Sequence, residues 1–334
     1  MKGYKFVKPF ELEEQELEDK SHIEPHAKVR LTKALVTLQD VLRYNGEVES
    51  KNVVLGSSGI GVISETDANL FDIEKGKRVF VDSSLLAEGS TNSNKYEDTI
   101  FAGEGFDGFL RDFISSPTDK IFILPDSVSD TEALFINQIS LALYIIDKLH
   151  VKKGDYVSII GANNLGNILS QLLIYYQAVP IVMTIDEENA RLAKECGIYY
   201  TLNAYDDWNK EVFNITSGRM TDKVVYISDC NISVARAFSV ASYGASVAFT
   251  GDFYKNKTFS FHQAIKKQLQ IKCINYGFDN TSASINLIAN KAINLSKLKL
   301  NTGNYFSIPA VFELLNNTLQ EKEQLDECVI DLLK

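Results

Sequence analysis

Cysteine is scarce and scattered in this chain. Cys196, Cys230, Cys273 and Cys328 stand singly, with no C-x-x-C pair among them. That spacing excludes a secreted disulfide scaffold and a cysteine-rich zinc cluster, and leaves small buried apolar side chains as the expected role. Long apolar runs are missing as well. No stretch of 18 apolar residues occurs, so no membrane-spanning helix is expected. The opening MKGYKFVKPFELEEQELEDK has no apolar core from which to build a signal peptide. Positive charge is in deficit: 34 Lys and Arg against 44 Asp and Glu give a formal net charge of -10. A surface for nucleic acid or anionic lipid is therefore not expected, and any anionic ligand has to be held by local groups against the overall field. Internal repeats and low-complexity tracts are absent too. The expectation left standing is a cytoplasmic globular protein.

What remains is ordinary in composition, 45% hydrophobic and 23% charged over 334 residues, which is enough chain for two domains. From about 150 to 280, short apolar runs alternate with segments of helical period. The strand candidates are Tyr156–Ile160, Ile181–Ile185, Tyr199–Leu202, Val224–Ile227, Ala245–Phe249 and Ile271–Tyr276. Their continuous apolar character is that of strands buried on both faces. Between the first two, Leu165, Ile168, Leu169, Leu172, Leu173 and Tyr176 follow the i, i+3, i+4, i+7 pattern of a helix lying on a sheet. Further helices are expected at Glu187–Cys196, Ile232–Tyr243 and Phe261–Leu269. Such alternation requires parallel strands joined by right-handed crossovers, which makes this region a doubly wound α/β domain. Upstream, runs at Lys28–Val36, Val53–Val62, Arg78–Val81 and Lys120–Leu124 are separated by polar clusters, a mostly antiparallel pattern. Gly56, Gly59 and Gly61 crowd one run and predict a bulge or a close backbone crossing. The span 83–108 reads as a polar surface loop, and the tail from 286 to 334 holds two helical patterns expected to pack on the first domain.

The stretch SIIGANNLGN, Ser158 to Asn167, nearly spells a phosphate-binding turn. A strand runs into Gly161, and Gly166 opens a helix, but Asn163 stands where the middle glycine of G-x-G-x-x-G belongs. In that motif the first glycine makes the sharp turn and the second lets the backbone approach a pyrophosphate. The third lets helix and strand pack closely, and the helix start offers N–H groups and partial positive charge. Asn tolerates a left-handed backbone better than other non-glycine residues, so the turn is expected to survive with the Asn163 side chain intruding toward the phosphate. The strand IVMTI leads to Asp186, 25 residues after Gly161. A carboxylate there hydrogen-bonds the adenosine ribose and repels the extra phosphate of NADP, which predicts NAD(H) over NADP(H). The structural alternative is a helix N-cap, and one carboxylate can do either. The candidate cofactor contacts are Gly161, Asn163, Asn164, Leu165, Gly166, Asp186 and Arg191.

Longer blocks carry a family resemblance. LHVKKGDYVSIIGANNLGNILSQLLIYYQAVPIVMTIDEENARLAKECGIYYTLNA resembles the cofactor-domain signature of the medium-chain dehydrogenase/reductase superfamily, which includes zinc alcohol dehydrogenases and zinc-free quinone and enoyl reductases. NVVLGSSGIGVISE and FDIEKGKRVFV are similar to that family's GroES-like segment, and INLIANKAINLSKLKLNTGNYFSIPAVFELLNN to its closing segment. The resemblance implies a GroES-like β-barrel-type catalytic domain over 1–138 and 281–334, and a Rossmann cofactor domain over 139–280. It also implies a small-molecule substrate and a homodimer or homotetramer.

The family's catalytic positions are altered. In the stretch ALVTLQDVLRYNG, Asp40 is kept, but the resemblance places the zinc-binding Cys at Thr37, the relay hydroxyl at Gln39 and the relay histidine at Leu42. The family's Gly-His-Glu is here Gly56-Ser57-Ser58, and the third ligand falls near Gln138. Zinc needs thiolate, imidazole or carboxylate ligands, so neither a catalytic nor a structural zinc is expected. His22 and His26 flank Pro25, which predicts an exposed turn instead of a metal pair. Basic residues that the family sets against the pyrophosphate fall at Leu38 and near Asp326-Glu327, leaving the helix start as the main counter-charge. Two functions follow as expectations. One is a zinc-independent NAD(P)(H) oxidoreductase acting on a carbonyl or conjugated alkene, with Thr37, Gln39, Ser57 and Tyr144 as candidate polarising groups and Asp40 in a supporting place. The other is an inactive relative serving as a dinucleotide-binding or partner subunit.

Overall fold

The computed structural model describes residues 1–18, 26–66, 73–86, 99–203, 205–228, 232–251, 260–277, 279–322 and 325–333. His22, Cys230 and the middle of the expected 83–108 loop, 87–98, lie outside them. The chain forms two compact units, Met1–Phe135 with Leu300–Lys334, and Ile136–Lys299.

In the first unit, β1 (Lys2–Lys8) and β2 (Glu11–Glu16) form an antiparallel hairpin. The main sheet is built on β3 (His26–Val36), which alternates buried and open positions over its first half, as a strand with one covered face must. It pairs antiparallel with β4 (Ser58–Thr66), and β4 in turn with β5 (Arg78–Val81). The strands β6 (Ser84–Leu86) and β7 (Thr99–Phe101) pair with each other, so the flanks of the expected 83–108 loop are a two-stranded ribbon. β8 (Phe113–Pro117) pairs with β3, and β9 (Ile121–Ile123) with β5. The last strand of the chain, Cys328–Asp331, joins β3 on its other side and carries Asn301–Asn304 in parallel beside it. His26 opens β3 opposite Pro117 instead of sitting in an exposed turn. The crowded glycines do mark a crossing: a Cβ on Gly61 would stand 2.2 Å from the Arg30 carbonyl oxygen, and the β3–β4 register shifts between Leu31 and Lys33. Among the described residues three α-helices belong here: α1 (Leu38–Tyr44) between β3 and β4, the single turn α2 (Asp130–Ala133) capped by Ser129, and the 15-residue helix Ile308–Lys322 near the end of the chain.

The second unit opens with α3 (Ile136–Lys148) and then alternates: β10 (Tyr156–Ile160), α4 (Asn164–Tyr175), β11 (Val179–Met183), α5 (Glu187–Glu195), β12 (Tyr200–Leu202) and α6 (Trp208–Ile215). The second half follows with β13 (Thr221–Ile227), α7 (Val234–Val240), β14 (Ala241–Thr250), α8 (His262–Lys266), β15 (Gln270–Cys273) and α9 (Thr281–Ala289). All six strands are parallel in the order β12-β11-β10-β13-β14-β15, so the strand order reverses between β10 and β13. A ligand of such a sheet lies beyond the carboxyl ends of the strands at that reversal. The α4 stripe of Leu165, Ile168, Leu169, Leu172 and Leu173 is buried, each side chain contributing about 1.5–3 kcal/mol. Tyr176 departs from it as the 43% exposed C-cap of the helix.

Three expectations are corrected here. The predicted helix Ile232–Tyr243 stops at Val240, because Ala241 turns extended and begins β14. Lys267 fixes that stop by donating from Nζ to the carbonyls of Phe238, Ser239 and Ala241 at 3.0, 2.8 and 2.8 Å. β15 is an edge strand with largely open residues, not one buried on both faces. The second unit also runs past the expected boundary at 280 to Lys299. Two contacts explain this: Ser284 on α9 shares a buried 3.0 Å hydroxyl pair with Ser140 on α3, and Gln171 on α4 is bonded to Asn294 through both amide atoms.

Candidate functional site

Each unit carries one group of the residues singled out above. In the first, Thr37 is the N-cap of α1 with an extended backbone, and Asp40 is the third residue of that helix. Asp40 is only 1% exposed and accepts three bonds from Thr37 and Gly56. The Thr37 N–H and hydroxyl donate to Oδ2 at 2.9 and 3.1 Å, and the Gly56 N–H donates to Oδ1 at 2.8 Å. Burial pushes its carboxyl above the ordinary aspartate value, while those N–H groups and nearby Arg43 pull it the other way. Ser57 completes a chain: its Oγ lies 3.3 Å from Thr37 Oγ1 and 3.4 Å from the Leu35 carbonyl oxygen. A file of hydroxyl, hydroxyl and carboxylate therefore runs from half-buried Ser57 to fully buried Asp40. Gln39 is half-buried as the second residue of α1. Tyr144 is in the second unit, on α3, with Lys148 Nζ 4.8 Å from its ring centre. Within the first unit the structure thus brings Thr37 and Ser57 together around Asp40.

In the second unit the chain leaves β10 at Gly161, whose φ of 112° lies in the left-handed region open to glycine. Gly166 lies against it so closely that a Cβ would stand 2.2 Å from the Gly161 carbonyl oxygen. Asn163 takes neither expected role. Its backbone is extended, at φ -69°, and its side chain folds back as the N-cap of α4, accepting the Gly166 N–H at 3.0 Å. The N–H groups of Asn164 and Leu165 come next at that helix start. Asn167 braces the turn from below, donating to the carbonyls of Ala162 and Asn163 at 2.9 and 3.1 Å. Asp186, at the tip of β11, is half-buried and caps α5 through Oδ1 to the Asn189 N–H at 2.9 Å. Arg191 is directed elsewhere, paired with Glu195 on the exposed side of α5 at 2.5 Å. Two partners escaped the sequence reading: Lys299, held by Asn164, and Glu188, which it meets. Asn164 and Lys299 are 135 residues apart, so no local pattern announces them.

Among the described residues no group of three or more His, Cys, Asp or Glu is placed to hold a metal ion, and no helix is long and apolar enough to cross a membrane. At Thr37 and Ser57, where the resemblance puts two zinc ligands, the structure has hydroxyls, one donating to the Asp40 carboxylate and the other to Thr37. Side chains of this type do not fit zinc, which takes thiolate, imidazole or carboxylate.

Comparison with known proteins agrees with both halves of the fold. An alcohol dehydrogenase GroES-like domain model matches residues 24–126, and a zinc-binding dehydrogenase model matches 165–290. An uncharacterized zinc-type alcohol dehydrogenase-like protein of Haemophilus influenzae is 28% identical over 59% of this chain, which spans 60% of that protein's length. A probable D-xylulose reductase A of Aspergillus fumigatus is 25% identical over 74% of this chain and 72% of its own. Two solved structures share the fold. One, titled a short chain alcohol dehydrogenase of Escherichia coli, is complexed with NADH (TM-score 0.83, 19% identity, 99% of each chain). The other, a putative zinc-binding dehydrogenase of Sinorhizobium meliloti, is bound to NADP (TM-score 0.84, 17% identity, 99% of each chain). With a GroES-like half and a doubly wound half matched in order along one sequence, the chain belongs to the medium-chain dehydrogenase/reductase superfamily.

Proposed function

We propose that the chain is a zinc-independent, NAD(H)-dependent oxidoreductase that interconverts a small alcohol and its carbonyl compound. The Gly161–Gly166 turn carries this reading. It joins a left-handed glycine, a helix packed too closely for any side chain and a neutral cap, with Asp186 at the tip of the adjoining strand. These residues fit a dinucleotide. The N–H groups of Asn164 and Leu165 would take its phosphates, and the Asp186 carboxylate its adenosine ribose. The acid that follows, Glu187, adds to the repulsion of a ribose phosphate and supports NAD(H) over NADP(H).

A bound nicotinamide would supply or accept the hydride. The chain's own groups would do the remaining work. Ser57 Oγ would hold the proton shared with the substrate oxygen, and Thr37 Oγ1, fixed by Asp40, would keep that hydroxyl aimed. Gln39 would add a polar contact from the same helix start, whereas Tyr144 is assigned a packing role on α3. The names of the relatives favour an alcohol–carbonyl pair, a polyol included, over a conjugated alkene. Assembly as a homodimer or homotetramer and a cytoplasmic location belong to the same reading.

Leu42 supports a second reading, an inactive dinucleotide-binding subunit, because the residue at the family's relay-histidine position is fully buried and apolar. Titration with NADH and NADPH, followed by energy transfer from Trp208, the only tryptophan, separates the two when joined to turnover assays. The assays take polyols, aldehydes, enones and quinones, with and without a chelator. Failure to bind either nucleotide at millimolar concentration ends the redox reading. Binding without turnover favours the second reading, and stoichiometric zinc in the purified protein overturns the metal-free assignment.

A further inference from the structure

One lysine from outside the strand–turn–helix motif is carried to the turn itself. The buried carboxamide of Asn164 clasps the backbone of Lys299: Nδ2 donates to the Lys299 carbonyl at 2.7 Å, and Oδ1 accepts the Lys299 N–H at 3.0 Å. Asn164 is the first residue of α4, so the Lys299 backbone is fixed beside the start of that helix. The side chain runs on to the neighbouring helix start, where its Nζ lies 3.1 Å from Oε2 of Glu188, the second residue of α5. The strands that precede these two helices, β10 and β11, are parallel neighbours with Ile160 opposite Met183. Lys299 therefore spans two helix starts at the carboxyl ends of adjoining strands, where a doubly wound sheet takes its ligand.

The two partners of this ion pair are unequal. The Lys299 side chain is 21% exposed and the Glu188 side chain 63%. An ion pair with so open a partner adds little to stability, so stability does not account for the bridge. The cation is anchored through its own backbone, while the carboxylate faces solvent and is free to turn away. Such a pair is suited to exchanging its anion. In a chain of net charge -10, a phosphate is drawn in only by local positive charge.

We propose that Lys299 is the counter-charge for the phosphates of the bound dinucleotide, and that it gives up Glu188 to them on binding. This rests on the reading of the Gly161–Gly166 turn as a dinucleotide site. It supplies from the end of the second unit the cation that the resemblance places at Leu38 and near Asp326-Glu327. Glu188 is then a built-in competitor, whose removal strengthens binding.

The test is NADH titration by Trp208 fluorescence at low and high salt, for the wild type, Lys299→Met, Lys299→Arg and Glu188→Gln, with ADP as a second probe and melting curves as a check on folding. Lys299→Met is expected to raise the Kd for NADH and ADP about tenfold or more and to flatten its salt dependence. Lys299→Arg is expected to stay near the wild type, and Glu188→Gln to bind more tightly. A tighter Kd does not come from misfolding, so Glu188→Gln tests the proposal even if Lys299→Met folds poorly. Wild-type Kd and salt dependence in both Lys299→Met and Glu188→Gln overturn the proposal and leave the dinucleotide site standing. A wild-type protein that binds neither NADH nor ADP removes the site, and the proposal with it.

Discussion

The starts of α1 and α4 close their backbone donors in opposite ways. At α1 the acceptor is a carboxylate inside the first turn: Asp40 takes the N–H groups of Thr37 and Gly56 and the Thr37 hydroxyl, and it is sealed from solvent. At α4 the acceptor is a neutral amide outside the helix, and Asn163 Oδ1 takes the Gly166 N–H. A carboxylate neutralises the positive end of a helix, and a neutral cap leaves it. The helices differ in length as well, 7 residues against 12, and the longer one starts at the carboxyl edge of a parallel sheet. The first arrangement holds itself together. The second holds itself together and keeps charge to offer an anion.

The sharpest way to break this contrast is Gly166→Ala. The added methyl group would meet the Gly161 carbonyl oxygen at 2.2 Å, and both atoms are backbone-bound. A loss of about 3 kcal/mol in unfolding free energy is expected, with NADH binding lost alongside. Denaturant melts and Trp208 titration measure both. A variant of wild-type stability would show that helix and strand are not in such close contact.

Next in size is Asp40→Ala, expected to cost about 2 kcal/mol because the N–H groups of Thr37 and Gly56 lose their acceptor in a buried place. A pH series sharpens it. Burial, the largest influence, pushes the Asp40 carboxyl above its ordinary 3.8, against the pull of the two N–H groups and Arg43, itself paired with Glu104. The folded state then binds this proton more tightly than the unfolded chain does. Its contribution to stability is full below the ordinary value and falls as pH rises through the folded one. The melting advantage of the wild type over Asp40→Asn should therefore shrink as pH rises above the ordinary aspartate value. An advantage that grows with pH would mean that the hydrogen bonds outweigh burial.

At the other helix start the effects are smaller. Asn163→Ala is expected to cost about 1 kcal/mol, and Asn163→Gly only a few tenths. Asn163→Gly also restores the family's middle glycine, so its NADH affinity should equal or exceed that of the wild type. Weaker binding would show that the asparagine contacts the ligand as well as capping the helix.

How much of this was legible beforehand follows from distance along the chain. Tyr156–Ile160 and Arg78–Val81 were read to the residue, because strand character and flanking turns are local. Gly161, Gly166 and Asp186 stand out in the sequence because the pattern that proposes them as a phosphate-binding turn lies in a short span. The end of α7 was missed: Val234–Tyr243 keeps helical period, and Lys267 overrides it from 26 residues away. Asn163 was misjudged in conformation, since the sequence shows which residue replaces a glycine but not which hydrogen bond it will find. The Thr37–Ser57–Asp40 file joins the residue after β3 to the residue before β4, its antiparallel neighbour. The Asn164–Lys299 clasp joins the start of α4 to the last residue of the second unit. The Thr37–Asp40 link is a local capping box, but the link to Ser57 and the clasp on Lys299 depend on tertiary packing.

Ser57→Ala is expected to disturb stability least of all. Its hydroxyl contacts are long, 3.3 Å to Thr37 Oγ1 and 3.4 Å to the Leu35 carbonyl oxygen, and the residue is half-buried, so a loss below about 0.5 kcal/mol is expected. Asp40 keeps all three of its bonds in this variant, which leaves the α1 helix start intact. The substitution therefore separates the self-contained role of that helix start from a chemical one. If Ser57 holds the substrate proton, turnover should fall by about a hundredfold with NADH affinity and melting temperature unchanged. If turnover is also unchanged, the file of hydroxyls is a helix cap and nothing more, and the polarising group has to be sought among the other residues of the first unit.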